Sequence, residues 1–258
     1  MMGIIFIWGL CVGSFLNVLV YRLPRNLSFV RGRSYCPRCR RKICWYDNLP
    51  LLSYFILRGK CRHCGQKISL RYPFLEFLTG ISFLISWQVA EKSGAFPKDW
   101  GSLFFYWLLI PGFLVIFFTD LEQLIIPDQA VIFLAAVGSL YNFWANQGSL
   151  PFFAKNFFLV AFSASLFFLL LYWLTKTKGM GLGDVKLVFA LGLIFGFPGT
   201  VLAIYSAFLT GALVGVILIL TKRSKFGQKI AFGPFLVLGS VLTLFFQKNL
   251  EWLIQRIF

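Results

Sequence analysis

Two aspartates and four cysteines have the types and spacing to do chemistry in this chain. Asp120 closes an apolar run, Phe117-Phe118-Thr119-Asp120-Leu121. Asp184 opens another, Gly181-Leu182-Gly183-Asp184-Val185-Lys186. Acids are scarce: Asp47, Glu76, Glu91, Asp99, Asp120, Glu122, Asp128, Asp184 and Glu251 are all there are in 258 residues. An ionisable side chain at membrane depth is costly and is read first as functional. Two close carboxylates cannot both ionise cheaply, so they share a proton. Such a pair polarises water with one carboxylate and protonates a carbonyl with the other, which is aspartyl hydrolysis of a peptide bond. Gly181 and Gly183 remove side chains beside Asp184 and would let an extended peptide backbone come close. A plainer account of Asp184 stands beside this one, because the helix dipole favours an acid in a first turn. Asp128 follows Pro127 and is read as helix-start chemistry, and Glu122 as solvated or interfacial. Lys186 is two positions from Asp184 and does not stack on it. It is read as snorkelling to the interface, with a grip on a substrate carboxylate as the alternative.

Cys36-Pro-Arg-Cys39 and Cys61-Arg-His-Cys64 stand 21 residues apart. Zn²⁺ takes four thiolates tetrahedrally, and two close pairs on facing turns supply that geometry. Pro37 and Gly65 suit the tight turns of such knuckles. A four-thiolate site is closed to substrate, so the zinc would be structural, folding a small basic loop. Two redox pairs or unligated thiols are the competing reading, disfavoured by cytosolic placement. His63 is a rival ligand to an already full shell. Cys44 is read as a free thiol and Cys11 as a small apolar residue within a helix.

The elements that position these residues follow from composition. The chain is 59% hydrophobic and only 13% charged, with a mean hydropathy of +0.78. That is too few polar side chains to cover a soluble domain of this length. Eight stretches approach the twenty or so apolar residues of a membrane helix: roughly 3–20, 73–90, 101–118, 130–145, 151–174, 185–196, 200–220 and 231–247. The sixth ends at Phe197-Pro198-Gly199, and with the seventh it forms either two spans or a re-entrant hairpin. The first lacks a basic start and a small-residue cleavage site and is read as a retained helix. The fold expected is therefore all-α, a polytopic membrane bundle of about eight helices with a small four-cysteine zinc loop. It divides as a first helix 1–20, a polar loop 21–72 and a membrane-embedded bundle 73–258.

The net charge of +16 reflects position. Thirteen of the 25 Lys and Arg fall between Arg22 and Arg71. With loop 21–72 in the cytosol, the loops near 119–129, 175–184 and 221–230 are cytosolic too, and these regions with Lys186 hold 20 of the 25. The bias orients the chain with both termini outside. Attraction to an anionic leaflet accounts for the charge, and nucleic-acid binding is set aside. On this topology Asp120 and Asp184 reach the same membrane face, although 64 positions separate them.

Several motifs in order carry a resemblance. They are Gly13-Ser14-Phe15-Leu16-Asn17-Val18 with Tyr21-Arg22-Leu23-Pro24, the four-cysteine loop with Asn48 to Tyr54, Arg71-Tyr72-Pro73 with Glu76, Asp120-Leu121 with Ile126-Pro127-Asp128, the Gly181-to-Lys186 motif, and Phe232-Gly233-Pro234-Phe235 with Gly239. The chain resembles bacterial type IV prepilin peptidases, membrane aspartyl peptidases of the G-x-G-D type. The resemblance implies that Asp120 and Asp184 are the catalytic pair. It implies cleavage of the basic leader of type IV prepilin or pseudopilin precursors, at the cytosolic face of the bacterial inner membrane. It also implies N-methylation of the new terminus with S-adenosylmethionine, in the N-terminal region and on no residue assigned. No Rossmann-type G-x-G-x-x-G supports that second activity. Asn17 is read as a bridge between helices, and Arg71 and Glu76 as a pair near the surface. The rival readings are a presenilin-type intramembrane protease, against which the basic loop argues, and a zinc or proton transporter, for which no internal repeat is visible.

Overall fold

The computed structural model describes all residues but 31, 93–99, 176–179, 222–229 and 245–258, and only the backbone of 90–92. Residues 176–179 of the expected loop 175–184, most of the loop 221–230 and the end of the eighth stretch therefore lie outside the described residues. So do Asp99, Glu251, Lys98, Lys248, Arg256 and the side chains of Glu91 and Lys92.

Among the described residues the regular elements are helices, with no strand beyond two isolated bridges. In order they are α1 (Met2–Arg22), α2 (Leu52–Ile56), α3 (Arg71–Lys92), α4 (Trp100–Gln123), α5 (Asp128–Ala145), α6 (Leu150–Phe153), α7 (Leu159–Leu174) and α8 (Leu182–Leu220), then α9 (Gly233–Leu244). One wide turn at Ala154–Phe158 joins α6 to α7. Among the described residues, four helices are long and apolar enough to cross a membrane: Met2–Arg25, Trp100–Gln123, Leu150–Leu174 and Leu182–Leu220. Five of the eight expected stretches lie in these four helices, the sixth and seventh together in the last of them. α9 is too short as described, and α5 opens on Asp128-Gln129 and carries Asn142.

The chain falls into two compact units, Met1–Val115 and Ile116–Phe258, dividing within α4. In the first, α1 and α3 cross at glycine distance. A side chain at Gly9 would meet Gly80 Cα at 2.8 Å, and one at Gly13 would meet Glu76 Cα at 2.7 Å. Gly9 and Gly13 thus form the small-x-x-x-small face that lets membrane helices pack backbone to backbone. Asn17, one turn on, donates from Nδ2 to Tyr72 O at 3.1 Å, which is the interhelical bridge expected of it. Glu76 Oε2 accepts the Leu51 N–H at 2.8 Å and so ties the polar loop to α3.

In the second unit α8 packs against α5 and α7. It is broken at Gly196 (φ 58, ψ −161) and Phe197, ahead of Pro198, where the sequence places its breakpoint. Carbonyls of Leu193 and Ile194 lose their helical partners there, because Phe197 leaves the helix and Pro198 has no N–H. Asn142 of α5 replaces both, donating from Nδ2 to Leu193 O at 2.8 Å and Ile194 O at 2.9 Å. A broken helix in an apolar bundle requires such substitutes.

Candidate active site

Asp120 and Asp184 both lie in the second unit, and both are buried at 6% exposure. Ile126, on the segment that follows Asp120, packs on Gly183, the residue before Asp184, and so brings the two acids into one neighbourhood. Each is braced by one glycine amide. Gly181 N–H donates to Asp184 Oδ2 at 3.0 Å, and Gly233 N–H donates to Asp120 Oδ2 at 2.8 Å.

The Asp184 brace is local. Gly181 is the cap of α8 and Asp184 the third residue of its first turn, so the carboxylate reaches back to the cap amide, as acids at that position do. The other Asp184 oxygen, Oδ1, is buried without a hydrogen-bond partner. A buried carboxylate oxygen without a partner is rare and calls for one.

The Asp120 brace comes from 113 positions away. Gly233 is the first residue of α9, where helical N–H groups have no partner of their own. A side chain there would put its first carbon 2.7 Å from Asp120 Oδ2, so only glycine fits. The preceding Phe232 is held by aromatic contacts with Phe168 of α7, Phe208 of α8 and Phe235 of α9. Both aspartates therefore face a helix N-terminus, which favours negative charge. Gly233 stood in a motif of the sequence, but nothing local to it announces a partner so far back in the chain.

Two readings need correction. The gap at Gly183 is filled from within: a side chain there would meet Ile126 Cβ at 3.0 Å. Lys186 does not snorkel free. Its Nζ donates to Asp128 Oδ1 at 2.8 Å, with both side chains more than half exposed. Asp128 opens α5 as expected and also holds α8. Glu122 is exposed.

The four cysteines gather in the first unit. The Sγ atoms of Cys36, Cys39, Cys61 and Cys64 all lie within 4.8 Å of one another, and Cys36 Sγ and Cys64 Sγ are 3.8 Å apart. Tetrahedral zinc with bonds near 2.3 Å needs sulfurs about 3.8 Å apart, so the donor set and its spacing fit that ion. The two knuckles match: Arg40 N–H returns to Cys36 O at 2.8 Å, and Gly65 N–H to Cys61 O at 3.0 Å. Both turning residues have positive φ, 55° and 66°. Amides of Cys64 and His63 point at Cys61 Sγ and hold its thiol down to about 7. His63 lies outside the sulfur cluster, its Nδ1 3.3 Å from Arg41 Nη1. Cys44 is also outside it, and Cys11 is exposed on α1. Asp47 and Arg62 clamp the loop through paired bonds of 2.9 and 2.6 Å.

Fold and sites define an all-helical membrane protein with a glycine-braced carboxylate pair in one unit and a four-thiol cluster in the other. The Bacterial Peptidase A24 N-terminal domain matches residues 7–89, and the Type IV leader peptidase family matches residues 107–216. The chain is 33% identical to a prepilin leader peptidase/N-methyltransferase of Aeromonas hydrophila, over 94% of this chain and 89% of the relative. It is 32% identical to proteins of the same description from Neisseria gonorrhoeae, over 90% and 85%, and Bacillus subtilis, over 94% and 93%. No solved structure matches it at comparable significance. The chain belongs to the prepilin leader peptidase/N-methyltransferase family.

Proposed function

We propose that Asp120 and Asp184 are the catalytic pair of an aspartyl endopeptidase that removes the basic leader of type IV prepilin or pseudopilin precursors. The observation that carries the reading is the pair itself: two buried carboxylates in one neighbourhood, each with one oxygen held by a glycine amide. The bound oxygens fix orientation, and Asp184 Oδ1 is left for the reacting water. One carboxylate takes a proton as the water oxygen adds to the scissile carbonyl carbon. Its protonated partner gives a proton to the carbonyl oxygen. Collapse of the resulting diol breaks the C–N bond, and the departing nitrogen takes up a proton.

In this reading the protein sits in the bacterial inner membrane with the pair facing the cytosol. The peptidase occupies the bundle 73–258, and the loop 21–72 carries structural zinc on Cys36, Cys39, Cys61 and Cys64. The ion, when bound, cross-links the two knuckles and supplies no chemistry to the reaction. N-methylation of the new terminus with S-adenosylmethionine is inferred from the description of the relatives. The loop region is where we expect it, with no residue assigned. Purified protein is incubated with a pilin-like precursor, with and without S-adenosylmethionine, and the new N-terminus is weighed. Loss of the leader mass is expected in both arms and a gain of one methyl group only in the second. An intact precursor in both arms would sink the peptidase reading.

A further inference from the structure

Between Asp120 and α5 the chain runs Leu124-Ile125-Ile126-Pro127. Leu124 turns at φ 55, its N–H still bonded to Asp120 O at 2.9 Å. Ile125 and Ile126 are in no helix, and Pro127 is extended at φ −68, ψ 128. No hydrogen bond is made by the backbone N–H or C=O of Ile125 or Ile126 among the described residues. Yet the segment is held at both ends. Ile126 packs on Gly183, next to Asp184, and Asp128 is ion-paired with Lys186. Around it lies an apolar rim of half-exposed side chains: Leu121, Leu124, Ile125 and Leu182.

A non-helical backbone held at both ends, with unused donors and acceptors, takes an added strand as an open edge does. Irregular backbone beside apolar helices is tolerated where water or another chain satisfies it. Hydrolysis at a buried carboxylate pair needs the scissile peptide extended and held, and strand addition does this through main-chain bonds while apolar pockets choose side chains. We infer that Ile125 and Ile126 form the edge to which the precursor adds as a short strand, carrying its scissile bond between the two aspartates. The inference rests on the peptidase reading of that pair. Leu121, Leu124, Ile125 and Leu182 then select apolar residues beside the cleaved bond, and the gap at Gly183 serves to seat the strand from behind.

The test uses the full chain in detergent with a synthetic peptide spanning the leader junction of a pilin-like precursor. The Asp184→Asn variant holds that peptide uncleaved. Hydrogen exchange is followed on peptides covering 121–130, with binding verified separately by fluorescence anisotropy. Strand addition expects one of the two amides of Ile125 and Ile126, the one on the edge that takes the peptide, to exchange about tenfold more slowly when the peptide is bound, while its neighbour is little changed. Unchanged exchange at saturation overturns it. In a second arm, wild-type protein cleaves peptides in which single amides next to the scissile bond are replaced by esters. One such replacement is expected to raise KM by about two- to tenfold with kcat little changed, the effect of one lost hydrogen bond. A flat KM across the series overturns the inference as well. Wild-type cleavage of the parent peptide separates the two levels. Cleavage without protection removes strand addition alone, and absence of cleavage removes the peptidase reading beneath it.

Discussion

The two aspartates are braced alike and built differently. Asp184 takes the amide of Gly181, three positions earlier in the same turn. Asp120 takes the amide of Gly233, delivered by a separate helix and an aromatic cluster drawn from α7, α8 and α9. A local brace survives as long as α8 starts where it does. A remote brace depends on how α9 is seated in the second unit. The pair is thus rigid on one side by short-range geometry and on the other by packing, which fixes where it is easiest to break.

The largest effect tests whether the two sides act as one. Asp120→Asn and Asp184→Asn should each lower leader cleavage by about 10⁴-fold, the upper range for removing a general acid or base. The double variant should fall little further, because members of a catalytic unit are not additive. Independent, multiplying losses would show two separate roles, and cleavage surviving either change would remove the pair from the mechanism.

Next comes the asymmetry of the braces. Gly233→Ala places a methyl group 2.7 Å from Asp120 Oδ2 and must shift the carboxylate or the start of α9. A displacement of that order costs about a hundredfold in rate. Gly181→Ala meets Asp184 Oδ2 at 3.5 Å, ordinary contact, at an unstrained φ of −91°, so its cleavage rate should stay within about threefold of wild type, the poorer alanine cap costing about 1 kcal/mol of stability and leaving the carboxylate in place. Equal losses in the two variants, measured as kcat/KM, would dissolve the distinction between local and remote bracing.

The four-cysteine cluster sharpens it from the other unit. Cys36→Ser should lower bound zinc from about one ion per chain to well below that, and limited proteolysis should then cut within 34–70 before it cuts the helices. Zinc content is read by elemental analysis. Full zinc in that variant would move the site elsewhere.

Legibility follows the same divide. The gathering of the cysteines, the start of a helix at Asp184 and the break at Pro198 are short-range patterns in the sequence. The brace from Gly233, the replacement of two orphaned carbonyls by Asn142, and the filling of the Gly183 gap by Ile126 join residues 51 to 113 or 57 positions apart. Spacing in the sequence carries no signal of those meetings, because side chains three or four apart report one helix face and nothing of its neighbours. The break in α8 shows the same limit: an apolar count sees hydropathy, whereas the carbonyls freed at the break are met by a polar side chain of α5.

Asn142→Ala breaks a remote support that is not at the aspartates. Two carbonyls would be left buried without partners, at about 1–3 kcal/mol for such groups, so a stability loss of about 2 kcal/mol should appear in denaturant unfolding while cleavage by the folded fraction holds.

The smallest effect concerns Lys186 and Asp128. Their ion pair is short, but both side chains are more than half exposed, and exposed pairs contribute about 0–1 kcal/mol. Its worth lies in position, because it joins the first turn of α5 to the start of the second turn of α8, next to the Ile126–Gly183 contact. Lys186→Met and Asp128→Asn should each leave stability nearly unchanged and raise KM for the precursor a few-fold, since each frees the same segment. The double variant should match the single ones, because a pair already broken cannot be broken again. If the two changes multiply in KM instead, Lys186 and Asp128 meet the substrate separately, and the short distance between them is incidental to binding.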